Sequence, residues 1–92
     1  MNQPRVEIHY CVGCKWLLRA SWMATELLST FEHQLGEVAL MPSDIAGTYK
    51  IYVDGIQVWC RKRDDGFPEV KVLKALVRDQ INPDQVLGHI DR

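Results

Sequence analysis

Residues 10–15 read YCVGCK and mark the point at which a strand pattern gives way to a helical pattern. Upstream, residues 6–10 alternate apolar and polar side chains, which is typical of a strand with one buried face. Downstream, apolar residues recur at the three-and-four spacing of one helix face, and Gly36 is placed to end the helix. The predicted core stripe of this helix comprises Leu17, Ala20, Ala24, Leu27, Leu28, Phe31 and Leu35.

The cysteine pair, Cys11 and Cys14, is therefore predicted to lie at the N-terminus of this helix. The unpaired N–H groups and partial positive charge there favour a thiolate over a thiol, and the Lys15 ammonium adds to this effect. Two intervening residues, one of them Gly13, let the sulfurs close a small disulfide ring. We expect one or both thiols to be acidic and the pair to cycle between dithiol and disulfide.

Length and composition indicate a single small domain over residues 1–92 with one modest core. The net charge of −1, from 11 basic and 12 acidic residues, predicts neither nucleic acid nor membrane as a partner. No apolar run reaches the roughly 18 to 20 residues that span a bilayer, and the polar start does not look like a signal peptide. We therefore expect a cytoplasmic protein. In such a reducing compartment a close cysteine pair is typically catalytic, redox-sensing or metal-binding.

The middle of the chain predicts three further strands. Residues 37–41 form a short strand closed by Pro42, and its helical link to the first strand is typical of a parallel βαβ unit with a right-handed crossover. Residues 48–53 and 56–60 are rich in β-branched and aromatic side chains. The Asp-Gly pair between them predicts a hairpin.

The last third predicts a charged loop and a helix. Residues 61–66 are interpreted as a solvated connection or, alternatively, as a basic patch for an acidic partner or the carboxylates of glutathione. Phe67 and Pro68 then set up a helix that ends at Asn82. Its predicted apolar face comprises Val70, Leu73, Leu76, Val77 and Ile81, and its predicted water-facing residues are Lys71, Lys74, Arg78 and Asp79. The resulting β-α-β-β-β-α order predicts an α/β (α+β) thioredoxin-like fold, with helices packed on a small mixed sheet.

Four stretches of the chain, residues 6–14, 47–51, 53–55 and 61–68, resemble the selenoprotein W group of the SelT/SelW/SelH (Rdx) family. That group carries a Tyr-Cys-x-x-selenocysteine motif, and its bacterial relatives have cysteine at the second position, as this chain has at Cys14. The resemblance implies a thioredoxin-like fold, thiol redox activity, and links to glutathione, peroxide defence and partner proteins. No bound cofactor is implied, and glutathione or a protein thiol is the expected redox partner.

The resemblance and the fold assign the two sulfurs differently. Thioredoxin-like enzymes use the first cysteine as nucleophile, which makes Cys11 the attacking thiol and Cys14 the resolving one. The selenoprotein W pattern reverses these roles, and we favour Cys14 as the attacker for peroxide-type chemistry. Thioredoxins also carry a proline directly before the third strand, whereas the nearest one here, Pro42, lies several residues before Thr48.

Three single residues have alternative interpretations. Cys60 is expected to be a small buried hydrophobic residue, with a further redox role as the alternative. His9 is expected to be structural, with proton handling as the alternative. Tyr49 is expected to pack in the sheet rather than to contact a substrate.

Two tryptophans and two further histidines complete the candidates. Trp16 and Trp22 are expected to share a helix face that either packs on the core or contacts a partner. His33 and His89 are expected at surface or terminal positions.

Three functions remain open from the sequence. The first is a thiol oxidoreductase that cycles Cys11 and Cys14, with glutathione as a candidate reductant. The second is a redox-gated binding module without turnover, read by a protein partner at the motif loop. The third is metal binding, disfavoured because one Cys-x-x-Cys supplies two ligands and structural zinc requires four.

Overall fold

A computed structural model describes residues 3–87 of the chain. Its elements follow the predicted order, with one additional short helix before the last one. They are β1 (Arg5–Cys11), α1 (Leu17–Thr30), β2 (Glu37–Ser43), β3 (Tyr49–Val53), β4 (Ile56–Cys60), α2 (Arg61–Asp64) and α3 (Val70–Ile81).

The four strands form one mixed sheet in the order β2-β1-β3-β4. β1 pairs in parallel with β2 and antiparallel with β3, and β3 and β4 form the antiparallel hairpin. This confirms the predicted βαβ unit and hairpin. The prediction that Pro42 closes β2 is wrong, because the strand continues to Ser43 with Pro42 opposite Tyr10. β2 is an edge strand, where the absent N–H of a proline is tolerated.

The core lies between the sheet and the two long helices. Alternate β1 side chains point into it, as the sequence pattern predicts, and the central strand β3 contributes in the same way. The residues of β1, α1, β3 and α3 that form the hydrophobic core are Val6, Ile8, Tyr10, Ala20, Met23, Ala24, Leu27, Tyr49, Ile51, Val53, Leu73 and Val77. α1 and α3 therefore cover one face of the sheet, and the motif turn links β1 of that sheet to α1.

The predicted extent of α1 is wrong at its C-terminal end. The helix ends at Thr30, and the buried Phe31 lies in the turn that follows. Gly36 does not terminate the helix; its N–H donates to the Pro4 carbonyl over 2.8 Å at the start of β2. A Cβ on Gly36 would lie 3.1 Å from the Gln3 carbonyl oxygen, so this close approach of two chain segments favours glycine there.

The predicted core stripe of α1 is also wrong in part. Leu17 is 48% exposed and Leu28 is 42% exposed, whereas Met23, which the stripe omitted, is 1% exposed. The core touches a narrower arc of the helix than the apolar spacing indicated. Two large apolar side chains are therefore left at the surface.

The C-terminal third differs from the prediction in three respects. Residues 61–64 are helical rather than a loop, and the Cys60 N–H donates to Asp64 Oδ2 over 2.9 Å. α3 begins at Val70, two residues after the buried Pro68. Lys74 does not face water: its side chain is 2% exposed and its Nζ lies 3.2 Å from Glu26 Oε1 on α1. A lysine stem can pack like an apolar side chain where its charge is paired, and this pair joins the two long helices.

Candidate redox site

Backbone hydrogen bonds join the start of the motif turn, residues 11–15, to the end of β2 and to the loop before β3. The N–H of Cys11 donates to the Thr48 carbonyl over 2.8 Å, just before β3 begins. The N–H of Val12 donates to the carbonyl of Ser43, the last residue of β2, over 3.1 Å. The start of the turn is therefore anchored at the end of the sheet where β1 and β2 both finish.

The two cysteines of the turn form a disulfide between Cys11 and Cys14, with their Cα atoms 5.3 Å apart. Their environments differ: Cys11 is 3% exposed, whereas Cys14 is only partly buried. The backbone N–H of Cys14 donates to Cys11 Sγ over 3.2 Å. The turn thus presents one accessible sulfur and shields the other, which already accepts a hydrogen bond.

The prediction that both thiols lie at the helix N-terminus is wrong in detail. α1 begins at Leu17 with Trp16 as its N-cap, so Cys14 precedes the first helical residue by three positions. The field of a helix end falls off within its first turn, so its contribution at the sulfurs is smaller than the sequence argument assumed. The hydrogen bond from the Cys14 N–H reaches Cys11 Sγ from within the turn itself.

Lys15 and Gly13, the two predicted supporting residues, both lie in the turn. The N–H of Lys15 donates to the Val12 carbonyl over 3.0 Å, and Lys15 has a φ of 64°. Gly13 has no positive φ, and a Cβ added to it would meet nothing within 4 Å. The left-handed position of the turn is therefore occupied by lysine, and the expectation that glycine eases the turn is wrong.

A surface pocket of about 350 Å³ adjoins the disulfide turn. It is lined by Tyr10, Val12, Lys15, Leu17 and Leu18. The sequence reasoning did not identify this pocket. Its signal was present, because Leu18 is a large apolar residue outside the core stripe and directly beside the motif.

An aromatic cluster lies behind the turn. The Trp16 ring packs edge-on against Tyr49 and Phe67, with centroid distances of 6.0 and 4.9 Å, and Arg19 lies 3.9 Å from the Phe67 ring centroid. Trp22, by contrast, is 50% exposed. The expectation that the two tryptophans share a role is therefore wrong: one packs on the core and the other lies at the surface.

Tyr49 packs in the sheet as predicted. It is 1% exposed, its hydroxyl donates to Met23 Sδ over 3.1 Å, and burial raises its pKa well above the ordinary range. This position excludes direct contact with a substrate in the described structure.

The basic residues of segment 61–64 are largely engaged within the molecule. Arg61 donates from Nε to the Gly47 carbonyl over 3.1 Å and lies 5.1 Å from the Trp16 ring centroid. Arg63 pairs with Asp64 over 2.6 Å. These contacts leave the proposed basic patch with fewer free cations than the sequence indicated.

Cys60 is a partly exposed free thiol, so the expectation of a buried hydrophobic residue is wrong. It ends β4 beside a pocket of about 90 Å³. The backbone N–H of Arg63 and, to a lesser extent, that of Lys62 lower the pKa of this thiol against the opposing effect of burial. Cys60 is thus a second chemically accessible cysteine that any thiol assay must take into account.

His9 and His33 lie at different positions in the structure. His9 Nε2 is 2.9 Å from Glu7 Oε1, and its ring centroid is 4.9 Å from that of Tyr52, which is the structural arrangement expected. Its hydrogen bond lowers the pKa of Glu7, with Arg5 adding to the effect. His33 lies on the surface as expected, with a side chain 92% exposed, whereas His89 lies outside the described residues.

Between residues 3 and 87, no three His, Cys, Asp or Glu side chains are grouped to hold a metal ion. Over the same range, the helices are too short or too polar to cross a membrane.

Comparison with known proteins gives matches over most of the chain. A model of the Rdx family matches residues 5–79. A protein from Bordetella parapertussis of known crystal structure is 55% identical, with a TM-score of 0.84, over 87% of this chain and 100% of that chain. A selenoprotein W-related protein from Vibrio cholerae is 48% identical, with a TM-score of 0.84, over 88% of this chain and 100% of that chain. No match was found among the curated proteins.

These matches confirm the resemblance drawn from the motif and the small mixed α/β, thioredoxin-like fold. The family and the disulfide pair together indicate a redox function. The chain belongs to the Rdx family, as a selenoprotein W-like member with cysteine at both reactive positions of its motif.

Proposed function

We propose that this protein is a cytoplasmic thiol–disulfide oxidoreductase that cycles Cys11 and Cys14, with glutathione as reductant. The observation that carries the proposal is the Cys11–Cys14 disulfide in the motif turn, whose two cysteines are unequally buried: Cys11 is 3% exposed and Cys14 is partly open. An external thiolate must reach a sulfur in line with the S–S bond. Access therefore selects Cys14 as the sulfur that exchanges.

The reductive half-cycle follows from this geometry. A glutathione thiolate attacks Cys14 Sγ, the Cys11–Cys14 bond breaks, and Cys11 leaves as a thiolate that accepts the N–H of Cys14. A second glutathione thiolate attacks the glutathione sulfur of the mixed disulfide. This step releases glutathione disulfide and leaves the Cys14 thiolate, so that two electrons have passed to the protein.

The oxidative half-cycle has two candidate oxidants, a disulfide substrate and a hydroperoxide. With a peroxide, the Cys14 thiolate takes the terminal oxygen as the O–O bond breaks, and an alcohol or water leaves. Cys11 then attacks the resulting sulfenic acid, releases water and restores the disulfide. The partly open Cys14 and the buried Cys11 support the same order of attack for either oxidant.

The test is a titration against glutathione redox buffer, with thiols trapped and masses read at each poise. It is run in a Cys60→Ser background, because Cys60 is accessible. The parent should lose two hydrogens reversibly on oxidation. Cys11→Ser should accumulate a glutathione adduct on Cys14, and Cys14→Ser should form its adduct more slowly because Cys11 is buried.

Two outcomes would contradict the proposal. Absence of the disulfide at every poise would rule out redox cycling. A faster adduct on Cys14→Ser than on Cys11→Ser would reverse the roles of the sulfurs. Reversible disulfide formation without turnover of either oxidant would instead favour the redox-gated binding module.

A further inference from the structure

Large apolar side chains are exposed around the motif turn, both in the lining of the pocket and next to it. Val12 is 46% exposed, Leu17 is 48% exposed and Leu18 is 83% exposed. Trp22 follows Leu18 by one helical turn of α1, at the spacing that places two side chains side by side, and is 50% exposed. We call these four residues the motif-side patch. Contiguous apolar surface of this kind on a small protein typically marks an interaction site.

The pocket joins this patch to the motif turn. Val12 and Lys15, which line it, belong to the same turn as Cys14, and Leu17 and Leu18 form its helical wall. A volume of about 350 Å³ is within the range for small ligands or a large side chain with adjoining backbone. A molecule bound there would therefore contact the turn that carries the disulfide, on both sides of Cys14 in sequence.

The charge of the residues that line the pocket limits the chemical class of molecule that could bind there. Among the described residues that line it, Lys15 is the only charged one, and the others are apolar or tyrosine. This lining fits an apolar side chain with a carboxylate close by. Glutathione has two carboxylates and an ammonium but no large apolar side chain, so it matches the Lys15 charge better than the apolar lining of Leu17 and Leu18.

We propose that the oxidising substrate of the Cys11–Cys14 pair is a protein or peptide disulfide whose cysteine is flanked by a large apolar residue, seated in this pocket, and by an acidic residue facing Lys15. The inference rests on the proposed function and specifies its substrate class. Glutathione remains the reductant, which needs access only to Cys14.

The exchange with such a substrate balances without a further co-reactant. The Cys14 thiolate attacks the peptide's sulfur, a mixed disulfide forms, and the other half of the substrate disulfide leaves as a thiol. Cys11 then attacks Cys14 Sγ and releases the peptide thiol. The substrate gains two electrons and two protons, and the protein returns to its disulfide form.

The experiment uses the reduced full-length chain in the Cys60→Ser background, because Cys60 is accessible, and three synthetic disulfides with the same leaving thiol. The first contains a short peptide whose cysteine has leucine on one side and aspartate on the other. The second contains the same peptide with serine in place of the leucine, and the third is hydroxyethyl disulfide. We expect kcat/KM to be about tenfold higher for the leucine peptide than for the serine peptide, as burial of most of one leucine side chain predicts.

The variants locate the preference on the molecule. Leu18→Glu should reduce the leucine-to-serine ratio to near one, and Leu18→Met should retain it. Leu28→Glu is the matched control, because Leu28 is also an exposed apolar residue of α1 but does not line the pocket. It should leave the ratio and the exchange with hydroxyethyl disulfide unchanged. All three variants change exposed residues, Leu18 and Leu28, so circular dichroism suffices to check folding.

The outcomes separate the inference from the proposed function. If hydroxyethyl disulfide exchanges but the peptides show no leucine preference, the substrate class is wrong and the oxidoreductase stands. If the preference survives Leu18→Glu, the pocket is not its source and the inference fails. If none of the three disulfides exchanges, the proposed function fails and the inference fails with it.

Discussion

The hairpin turn between β3 and β4 and the motif turn each place a non-glycine residue in the left-handed region, but only the hairpin turn does so with a residue type that tolerates it. In the hairpin turn between β3 and β4, Asp54 has a φ of 49° and Gly55 has a φ of 83°. In the motif turn, Lys15 has a φ of 64° while the glycine of the same turn, Gly13, does not have a positive φ. The hairpin uses residues that suit its backbone, whereas the motif turn does not.

The hairpin turn is also supported from outside. Asp54 Oδ1 accepts the backbone N–H of Arg5 over 2.8 Å, and the Asp54 N–H donates to the Arg5 carbonyl over 2.8 Å. Aspartate tolerates the left-handed region because its short side chain forms local hydrogen bonds. Lysine has no such compensation. The difference shows that local backbone preference specifies the structural turn, while the reactive turn is held by its disulfide and by the neighbouring loops.

The largest expected effect comes from breaking the Cys11–Cys14 bond. By the chain-entropy argument, a ring this small should contribute about 2 kcal/mol to the free energy of unfolding. Reduction, measured by urea unfolding in a Cys60→Ser background, should lower it by that amount. Amide exchange should accelerate at Val12 to Lys15 and stay unchanged at Asp54 and Gly55. Equal acceleration in both turns would show that the motif turn is not specifically held by its disulfide.

A smaller effect is expected from Gly55→Ala. Alanine at a φ of 83° meets no neighbouring atom within 4 Å, so only the backbone is strained. The left-handed penalty for a residue with a Cβ is about 1 kcal/mol, and the free energy of unfolding should fall by about that much. Gly55→Asn is the matched control and should cost less, because asparagine tolerates this region. An equal cost for both would argue that the loss is not conformational.

Lys15→Gly tests the same penalty for a Cβ in the left-handed region, but here the substitution removes the Cβ and should stabilise the protein. Removal of the Cβ should relieve left-handed strain, and the greater freedom of glycine in the unfolded chain offsets part of the gain. We expect the free energy of unfolding to rise by about 0.5 kcal/mol, measured in urea on the oxidised protein. Lys15→Ala is the control for loss of the charge and should not stabilise. A destabilising Lys15→Gly would mean that the lysine side chain supports the turn through contacts of its own.

The two turns also show what a sequence can predict about this fold. The Asp-Gly pair encodes its own turn, and the alternation in β1 encodes its buried face, so the hairpin and the central strand pair follow from local rules. The pairing of the two cysteines followed from the motif, but their distance from the start of α1 did not. The approach of Gly36 to Pro4 and the burial of Lys74 beside Glu26 depend on contacts between segments that are distant in the sequence. No local pattern contains that information.

The candidate site was predicted unequally for the same reason. The pair Cys11 and Cys14 was identified from spacing alone, but their unequal burial arises from packing at the end of the sheet. The pocket wall formed by Leu17 and Leu18 was missed because Leu17 was assigned to the core stripe and Leu18, which lies outside the stripe, was given no role. Large apolar residues that exceed one helix face and lie beside a reactive motif are the signal that would have identified it.

The smallest expected effect belongs to Gly13→Ala, and it completes the comparison of the turns. Gly13 has open space where a Cβ would lie and no positive φ, so alanine fits the native backbone and reduces the entropy of the unfolded chain. We expect the free energy of unfolding to rise by about 0.4 kcal/mol, measured beside Lys15→Gly under identical conditions. If both variants stabilise the oxidised protein, the motif turn carries its glycine two residues before the position that favours one. If Gly13→Ala destabilises instead, Gly13 adopts another backbone conformation in solution, and the contrast with the hairpin would no longer hold.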